Sequence, residues 1–98
     1  MNEIECDFHL CKNYINKVLE SVSKHLNDES YFSVTHYLSV DEYEMAFELL
    51  FTHIIYDKIP ATIDEQECLS IELMLRLDKE SVYDPSFWIV LNQWFKDR

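Results

Sequence analysis

The chain has 98 residues, 48% of them apolar and 14% aromatic, and its formal net charge is −11 at pH 7. This composition argues against disorder and suffices for one domain, residues 1–98, whose core needs no disulfide or metal ion. The charge argues against nucleic acid or an anionic membrane as the partner, since these are bound through Lys and Arg, and it favours a basic protein surface.

The cysteines and the N-terminus indicate a reducing compartment. Cys6, Cys11 and Cys68 are odd in number and form no CxxC pair, which is typical of reduced thiols rather than a secreted disulfide framework. The first residues are acidic where a signal peptide is basic, and the longest apolar run, residues 87–91, is too short to span a bilayer. We therefore expect a cytoplasmic protein without a membrane segment.

Two amphipathic helices are predicted in the first part of the chain. Residues 7–26 carry one apolar stripe, as expected of an outer helix that buries a single face. Asn27 can end this helix, because Asn tolerates the left-handed conformation and the chain has no Gly. A shorter helix over residues 30–39 follows, with Tyr31, Val34 and Leu38 facing the core. The stripe of the first helix consists of Phe8, Cys11, Ile15, Val18, Leu19, Val22 and Leu26.

Residues 41–58 are predicted to form the central helix. Asp41 is interpreted as its N-cap, with Glu44 three residues on as in a capping box, and Pro60 ends it because the residue before Pro is pushed out of the helical region. A helix that is apolar on two sides is expected to lie between neighbours. One apolar face holds Tyr43, Ala46, Phe47, Leu50 and Ile54, and the second side holds Met45, Leu49 and Tyr56.

A narrow polar strip remains on this central helix, and it contains Glu44, Glu48 and Thr52. Glu44 and Glu48 are four residues apart, a like-charge pair that weakens an isolated helix by roughly 0.2–0.5 kcal/mol. No Lys or Arg stands one turn away on the strip. The strip is therefore either simply solvated or available to a cationic partner.

A fourth helix is predicted over residues 62–77. Thr62 and Glu65 form a capping box at its start. Glu72 and Arg76 have the spacing of an intrahelical ion pair worth a few tenths of a kcal/mol. Glu72 thus has a structural explanation that the strip on the central helix lacks.

A fifth helix is predicted to close the chain. Asp84 followed by Pro85 is a favourable helix start, and the helix runs to about residue 95. Alternation in residues 30–40 can be read as β, but the neighbouring segments favour helix. Short links between helices predict an all-α fold, a compact antiparallel bundle of four to five helices. The residues of the last helix expected to face inward are Phe87, Val90, Leu91, Trp94 and Phe95.

Catalytic and metal-binding motifs are weak. Cys6, His9 and Cys11 are close in sequence, but Cys11 belongs to the apolar stripe, and a zinc site needs four ligands at recognisable spacing. His36 and His53 occur without the Glu-x-x-His pairs of di-iron bundles, and a phosphotransfer role for His53 would lack its usual Lys and Gly. Phosphate-binding loops need Gly, which is absent. We therefore expect no enzymatic activity, no cofactor and no metal ion.

Acidic side chains are the best candidates for a binding surface. Helix dipoles favour acids at helix starts, so a plain solvated face is an open alternative for any single residue. The charge of the whole chain and the uncompensated strip favour a functional surface, to which exposed aromatics such as Tyr56 and Tyr83 can add anchors. The predicted partner-binding residues are Asp41, Glu42, Glu44, Glu48, Tyr56, Asp57, Asp64, Glu65 and Glu67.

The run HYLSVDEYEMAFELLFTHI, residues 36–54, resembles the immunity proteins of bacterial polymorphic-toxin and contact-dependent growth inhibition systems. These families often carry an E-Y-x-x-A-x-E-x-L helix. The resemblance covers roughly a fifth of the chain. It implies a cytoplasmic antidote that binds the C-terminal toxin domain of a delivered effector, commonly a nuclease acting on tRNA or DNA. The residues that match this pattern are Glu42, Tyr43, Ala46, Phe47, Glu48 and Leu50.

The resemblance and the charge agree on a mechanism. An acidic surface can occupy the basic cleft of a nuclease, or cover a surface beside it, with fast and salt-sensitive association. Two other classes stay open. One is a helical adaptor that forms a homodimer through its aromatic-rich last helix, where Ile89, together with Leu10 near the N-terminus, falls outside the main stripes. The other is a DNA-mimic regulator of a different basic protein.

Overall fold

Five α-helices make up most of the described part of the chain, which in this computed structural model comprises residues 7–77, 79 and 84–98. Cys6 and Tyr83 lie outside the described residues. No strand occurs in the described ranges, so the predicted all-α bundle is confirmed. The helices are α1 (Phe8–Val22), α2 (Asp28–Ser39), α3 (Tyr43–Tyr56), α4 (Glu65–Met74) and α5 (Phe87–Lys96), with a 3-10 turn at Ser23–His25.

Consecutive helices run in opposite directions, so that α1, α3 and α5 are aligned with one another. In the ring contacts between these three helices, residues near the start of one helix meet residues near the start of the next, and later residues meet later residues. We call the end of the bundle that holds the starts of α1, α3 and α5 the upper end, and the opposite end the lower end. The aligned ring pairs are Phe8–Tyr43, Phe47–Phe87 and Phe51–Trp94, with centroids 5.7, 6.2 and 6.4 Å apart.

Helix α3 lies at the centre of the bundle and contacts α1, α2 and α5. Its first apolar face is buried as predicted, and Phe51 is buried with it. The second apolar side is less enclosed, because Met45 and Leu49 are half-buried and Tyr56 is 60% exposed. The central position follows from apolar residues on more than one side, which only neighbours on several sides can cover.

The caps of α3 and α4 differ from the predicted ones. Glu42 precedes α3 without a side-chain capping bond, whereas Asp41 has a φ of 61° and belongs to the end of α2. Asp64 rather than Thr62 caps α4, and its carboxylate accepts a hydrogen bond from the backbone N–H of Gln66 at 3.0 Å. Asp41 is not a cap because the chain reverses between α2 and α3, and a left-handed residue supplies that reversal.

Helices α2, α3 and α4 each end at a left-handed residue although the chain has no Gly. These residues are Asp41, Lys58 and Arg76, with φ angles of 61°, 52° and 61°. Asn27, which was predicted for such a role, has a φ of −74° and caps α2 instead. In each of the three turns the next backbone N–H reaches back to the last helical turn, in the bonds Glu42 to Tyr37, Ile59 to Ile54 and Leu77 to Glu72.

The predicted ion pair between Glu72 and Arg76 is not among those of the described residues. Glu72 is buried within α4, which ends at Met74, and Arg76 is exposed beyond that end. The left-handed turn at Arg76 takes its side chain away from the helix surface, so the i,i+4 spacing no longer brings the two residues together.

Candidate protein-binding surface

The upper acidic cluster, which we define as Asp41, Glu42 and Glu44, lies at the start of α3. Asp41 and Glu42 are exposed and Glu44 is half-buried. The Asp41 carboxylate accepts a hydrogen bond from the Tyr43 hydroxyl at 2.9 Å, and this bond raises the pKa of Tyr43. Within the described ranges, no cation forms an ion pair with these three carboxylates. The cluster therefore presents uncompensated negative charge to solvent.

The lower acidic cluster, Asp57, Asp64, Glu65 and Glu67, lies at the end of α3 and the start of α4, and all four residues are exposed. Part of its charge is already engaged within the molecule. Nδ1 of His53 lies 3.0 Å from the Asp57 carboxylate. The Glu67 carboxylate forms an ion pair with Nζ of Lys17 in α1 at 2.9 Å. The other two members, Asp64, which caps α4, and Glu65, form no ion pair with a described residue.

The two acidic clusters do not form one surface. Helix α3 has 14 residues and is therefore about 20 Å long, and the clusters lie at its opposite ends. This separation exceeds the Debye length of about 8 Å at physiological ionic strength. The carboxylates predicted to act together are thus divided between two regions, each of which can meet positive charge independently.

Glu48 does not belong to either cluster, and its expected place on an exposed strip is wrong. Its side chain is 0% exposed, and its Oε2 accepts a hydrogen bond from the backbone N–H of Asp84 at 2.8 Å. The segment that leads into α5 covers this position on α3. Glu48 is therefore removed from the candidate contact residues and becomes a structural residue.

An apolar groove lies between α3 and α5, with a volume of about 370 Å³. Ile89 in this groove is 68% exposed, and Tyr56, which follows the lining residue Ile55, is 60% exposed. Val90 and Trp94 were predicted to face inward and are half-buried beside the groove. The full lining is Ile55, Ile89, Val90, Gln93, Trp94 and Asp97.

The described cysteines are enclosed by the core. Cys11 and Cys68 are both buried, with 0% exposure. Burial raises the pKa of Cys68 to about 12, and burial likewise raises the pKa of the neighbouring Tyr14 hydroxyl. Cys68 is therefore protonated at neutral pH, and neither thiol reaches solvent. In the parts of the chain described, no group of three or more His, Cys, Asp and Glu side chains could hold a metal ion.

Comparisons with known proteins do not place the chain in a family. No family model, no curated protein and no solved structure matches it. The class of the protein therefore rests on the architecture of its described residues, an all-α bundle with the acidic clusters and the apolar groove defined above. None of the helices described here is long and apolar enough to cross a membrane.

Proposed function

We propose that this chain is an immunity protein that binds and neutralises the C-terminal toxin domain of a bacterial polymorphic-toxin effector, the toxin being a nuclease such as a tRNase. The observation that carries the proposal is uncompensated negative charge, with a net charge of −11 and exposed carboxylates without ion pairs in the upper acidic cluster. The resemblance of residues 36–54 to such antidotes supports it. The proposed action is binding alone, in the cytoplasm, without catalysis or a cofactor.

The upper acidic cluster is the better candidate for contact with the catalytic cleft. A nuclease places Lys, Arg or His around its phosphate site, and carboxylates can replace the phosphates there. Asp57 and Glu67 already have partners within the chain, so their pairing with a toxin would compete with existing contacts. Because the clusters are about 20 Å apart, we expect one cluster to enter the cleft while the other contacts the toxin beside it or stays in solvent.

The experiment combines the purified chain with the toxin domain encoded beside its gene and follows cleavage of tRNA and DNA. We expect stoichiometric inhibition by the parent chain. The double variant Glu42→Lys with Glu44→Lys should bind at least about tenfold more weakly, mainly through a slower association rate, since rim charges act on encounter.

The matched control for that variant reverses Asp28 and Glu29, which are exposed at the start of α2 at the lower end. It changes the net charge equally and should keep most of the affinity. The proposal fails if the parent chain leaves the nuclease active. The assignment to the upper acidic cluster fails if the two double variants behave alike.

A helical adaptor or DNA-mimic regulator of another basic protein is the second candidate function. The exposed Ile89 favours the adaptor over the DNA mimic, because charge mimicry alone does not require an exposed apolar side chain. Gene order discriminates between the two functions. A large toxin gene directly upstream favours immunity, whereas its absence favours the adaptor or regulator.

A further inference from the structure

We propose that the groove between α3 and α5 is a docking site for an amphipathic helix of a basic partner. The partner's apolar side chains would enter the groove beside Ile89, and its Lys or Arg side chains would lie next to Asp97. The inference deepens the proposed function, on which it rests for the identity of the partner, by assigning a second contact surface that does not depend on the acidic clusters.

The apolar part of the argument rests on exposure. Ile89 is 68% exposed, whereas Val90 and Trp94, which also line the groove, are half-buried. The groove therefore has an exposed apolar side chain next to partly buried apolar ones. A groove between two helices with an exposed apolar side chain at its edge matches the way amphipathic helices bind, through side chains spaced along one face.

The net charge of the chain, −11, favours a cationic occupant. Asp97 lines the groove and its carboxylate accepts a hydrogen bond from the neutral Gln93 amide at 3.0 Å, which leaves its negative charge in place. One cation contacts the wall of this groove, because it stacks on the lining residue Trp94. Arg98 lies over the Trp94 ring with its guanidinium carbon 4.5 Å from the centroid, and it donates a hydrogen bond to the Ala61 carbonyl at 3.0 Å.

A second copy of this chain is the less favourable occupant. Each copy carries a net charge of −11, so self-association through this face would bring like charges together around a small contact. A basic helix gains from the same field. The homodimer considered from the sequence is therefore an outcome that the experiment must distinguish.

The test uses the isotope-labelled full chain and a synthetic Leu/Lys peptide of about four turns that folds as an amphipathic helix. The control peptide has the same composition in scrambled order, with the same charge and no apolar face. We expect NMR shift changes concentrated at Ile55, Ile89 and the Trp94 indole with the amphipathic peptide alone. Equal binding of both peptides, changes located elsewhere, or a concentration-dependent dimer that buries Ile89 would overturn the inference.

A matched pair of variants then tests the contact itself. Ile89→Asp should weaken binding of the amphipathic peptide by about tenfold or more, because it places a charge where an apolar side chain is expected to be buried. Phe32→Asp is the control, since Phe32 is 69% exposed on α2 and does not line the groove. Both sites are exposed, so both variants should keep the circular dichroism spectrum of the parent. Equal affinities of the two variants would contradict the assignment.

The same variants separate this inference from the proposed function. If Ile89→Asp inhibits the toxin nuclease as well as the parent does, the docking site is wrong and the immunity function stands. If the parent does not bind the toxin but the groove still takes the basic helix, the immunity function is wrong and the docking site stands.

Discussion

At the scale of single residues, Glu48 is the clearest case of a charged side chain that contributes to structure. It is fully buried in α3, and its carboxylate accepts a hydrogen bond from the backbone N–H of Asp84, 36 residues further along the chain. A hydrogen bond to a carboxylate is stronger than a neutral one, and it offsets part of the cost of burying the group. Glu48 thus ties the segment before α5 to the central helix.

Replacing Glu48 with Ala should lower the free energy of unfolding by about 2–4 kcal/mol. The change leaves a cavity and removes the acceptor from the partly buried N–H of Asp84. Glu44→Ala, one turn earlier and half-buried, should change stability by less than about 1 kcal/mol. Urea unfolding followed by circular dichroism measures the stability of both variants. Equal losses of stability would show that the buried Glu48 contact contributes no more than the half-buried Glu44.

Cys68 links stability to pH. Burial raises the pKa of its thiol from 9.0 to about 12, so the folded state favours the protonated form. The stabilisation is fully present below pH 9 and is lost as the pH rises from 9 towards 12, because the unfolded thiol releases its proton first. Urea unfolding at a series of pH values should show this decline.

The control for this effect is Cys68→Ala. In this variant the buried Tyr14 hydroxyl, whose pKa is also raised, remains as a titrating group. The stability of the variant should therefore begin to decline only at higher pH, above the ordinary pKa of about 10 for Tyr. Identical pH profiles of parent and variant would show that the Cys68 thiol does not contribute.

At the scale of helices, the ends of α2, α3 and α4 show a cost of having no Gly. Asp41, Lys58 and Arg76 occupy left-handed positions that a residue with a Cβ enters at roughly 1–2 kcal/mol. The turns nevertheless satisfy backbone carbonyls of the last helical turn and allow tight reversals. Favourable hydrogen bonding and unfavourable backbone conformation are thus combined at the same residues.

Lys58→Gly should raise the free energy of unfolding by about 0.5–1 kcal/mol. Gly removes the steric cost at a φ of 52°, and the greater freedom of Gly in the unfolded chain offsets part of that gain. Lys58→Ala is the control, since it removes the same exposed charge and keeps the Cβ. Thermal unfolding compares the two variants, and a Lys58→Gly variant no more stable than Lys58→Ala would contradict the argument.

At the scale of the whole molecule, exposed carboxylates are divided between the two ends of the bundle rather than gathered on one surface. Among the described residues, Lys17 forms an ion pair with Glu67, and Nδ1 of His53 lies 3.0 Å from the Asp57 carboxylate, while the formal net charge with His neutral is −11. Exposed pairs of this kind contribute between about 0 and 1 kcal/mol each. Repulsion among the remaining carboxylates therefore opposes folding, and a basic partner would relieve it.

Added salt should consequently stabilise the isolated protein. Raising NaCl from about 10 mM to about 1 M shortens the Debye length from about 30 Å to about 3 Å, which weakens the repulsion. Each 1 kcal/mol gained should raise the Tm by roughly 4–8 °C for a domain of this size. The variant with Asp28→Lys and Glu29→Lys, less negative by four charges, should show a smaller increase, and a Tm that falls with NaCl would contradict the prediction.

The sequence by itself determined the helical class, the approximate positions of five helices and the central place of α3. These features follow from periodic apolar positions and from Pro and acidic residues at helix starts, which act within a few residues of the chain. Helix ends were less predictable, as Asp41 and Thr62 show, because the turns between packed helices select the terminal conformation. The net charge was likewise fixed by composition alone.

Only the tertiary structure decided which carboxylates reach solvent and how they are grouped. Helical periodicity places Glu48 beside Glu44 on one strip, but it cannot show that the chain near Asp84 covers one and leaves the other partly open. The separation of the acidic clusters and the groove beside Ile89 arise in the same way. Burial depends on which distant segment packs against a helix, and that contact is set by the assembly of the whole bundle.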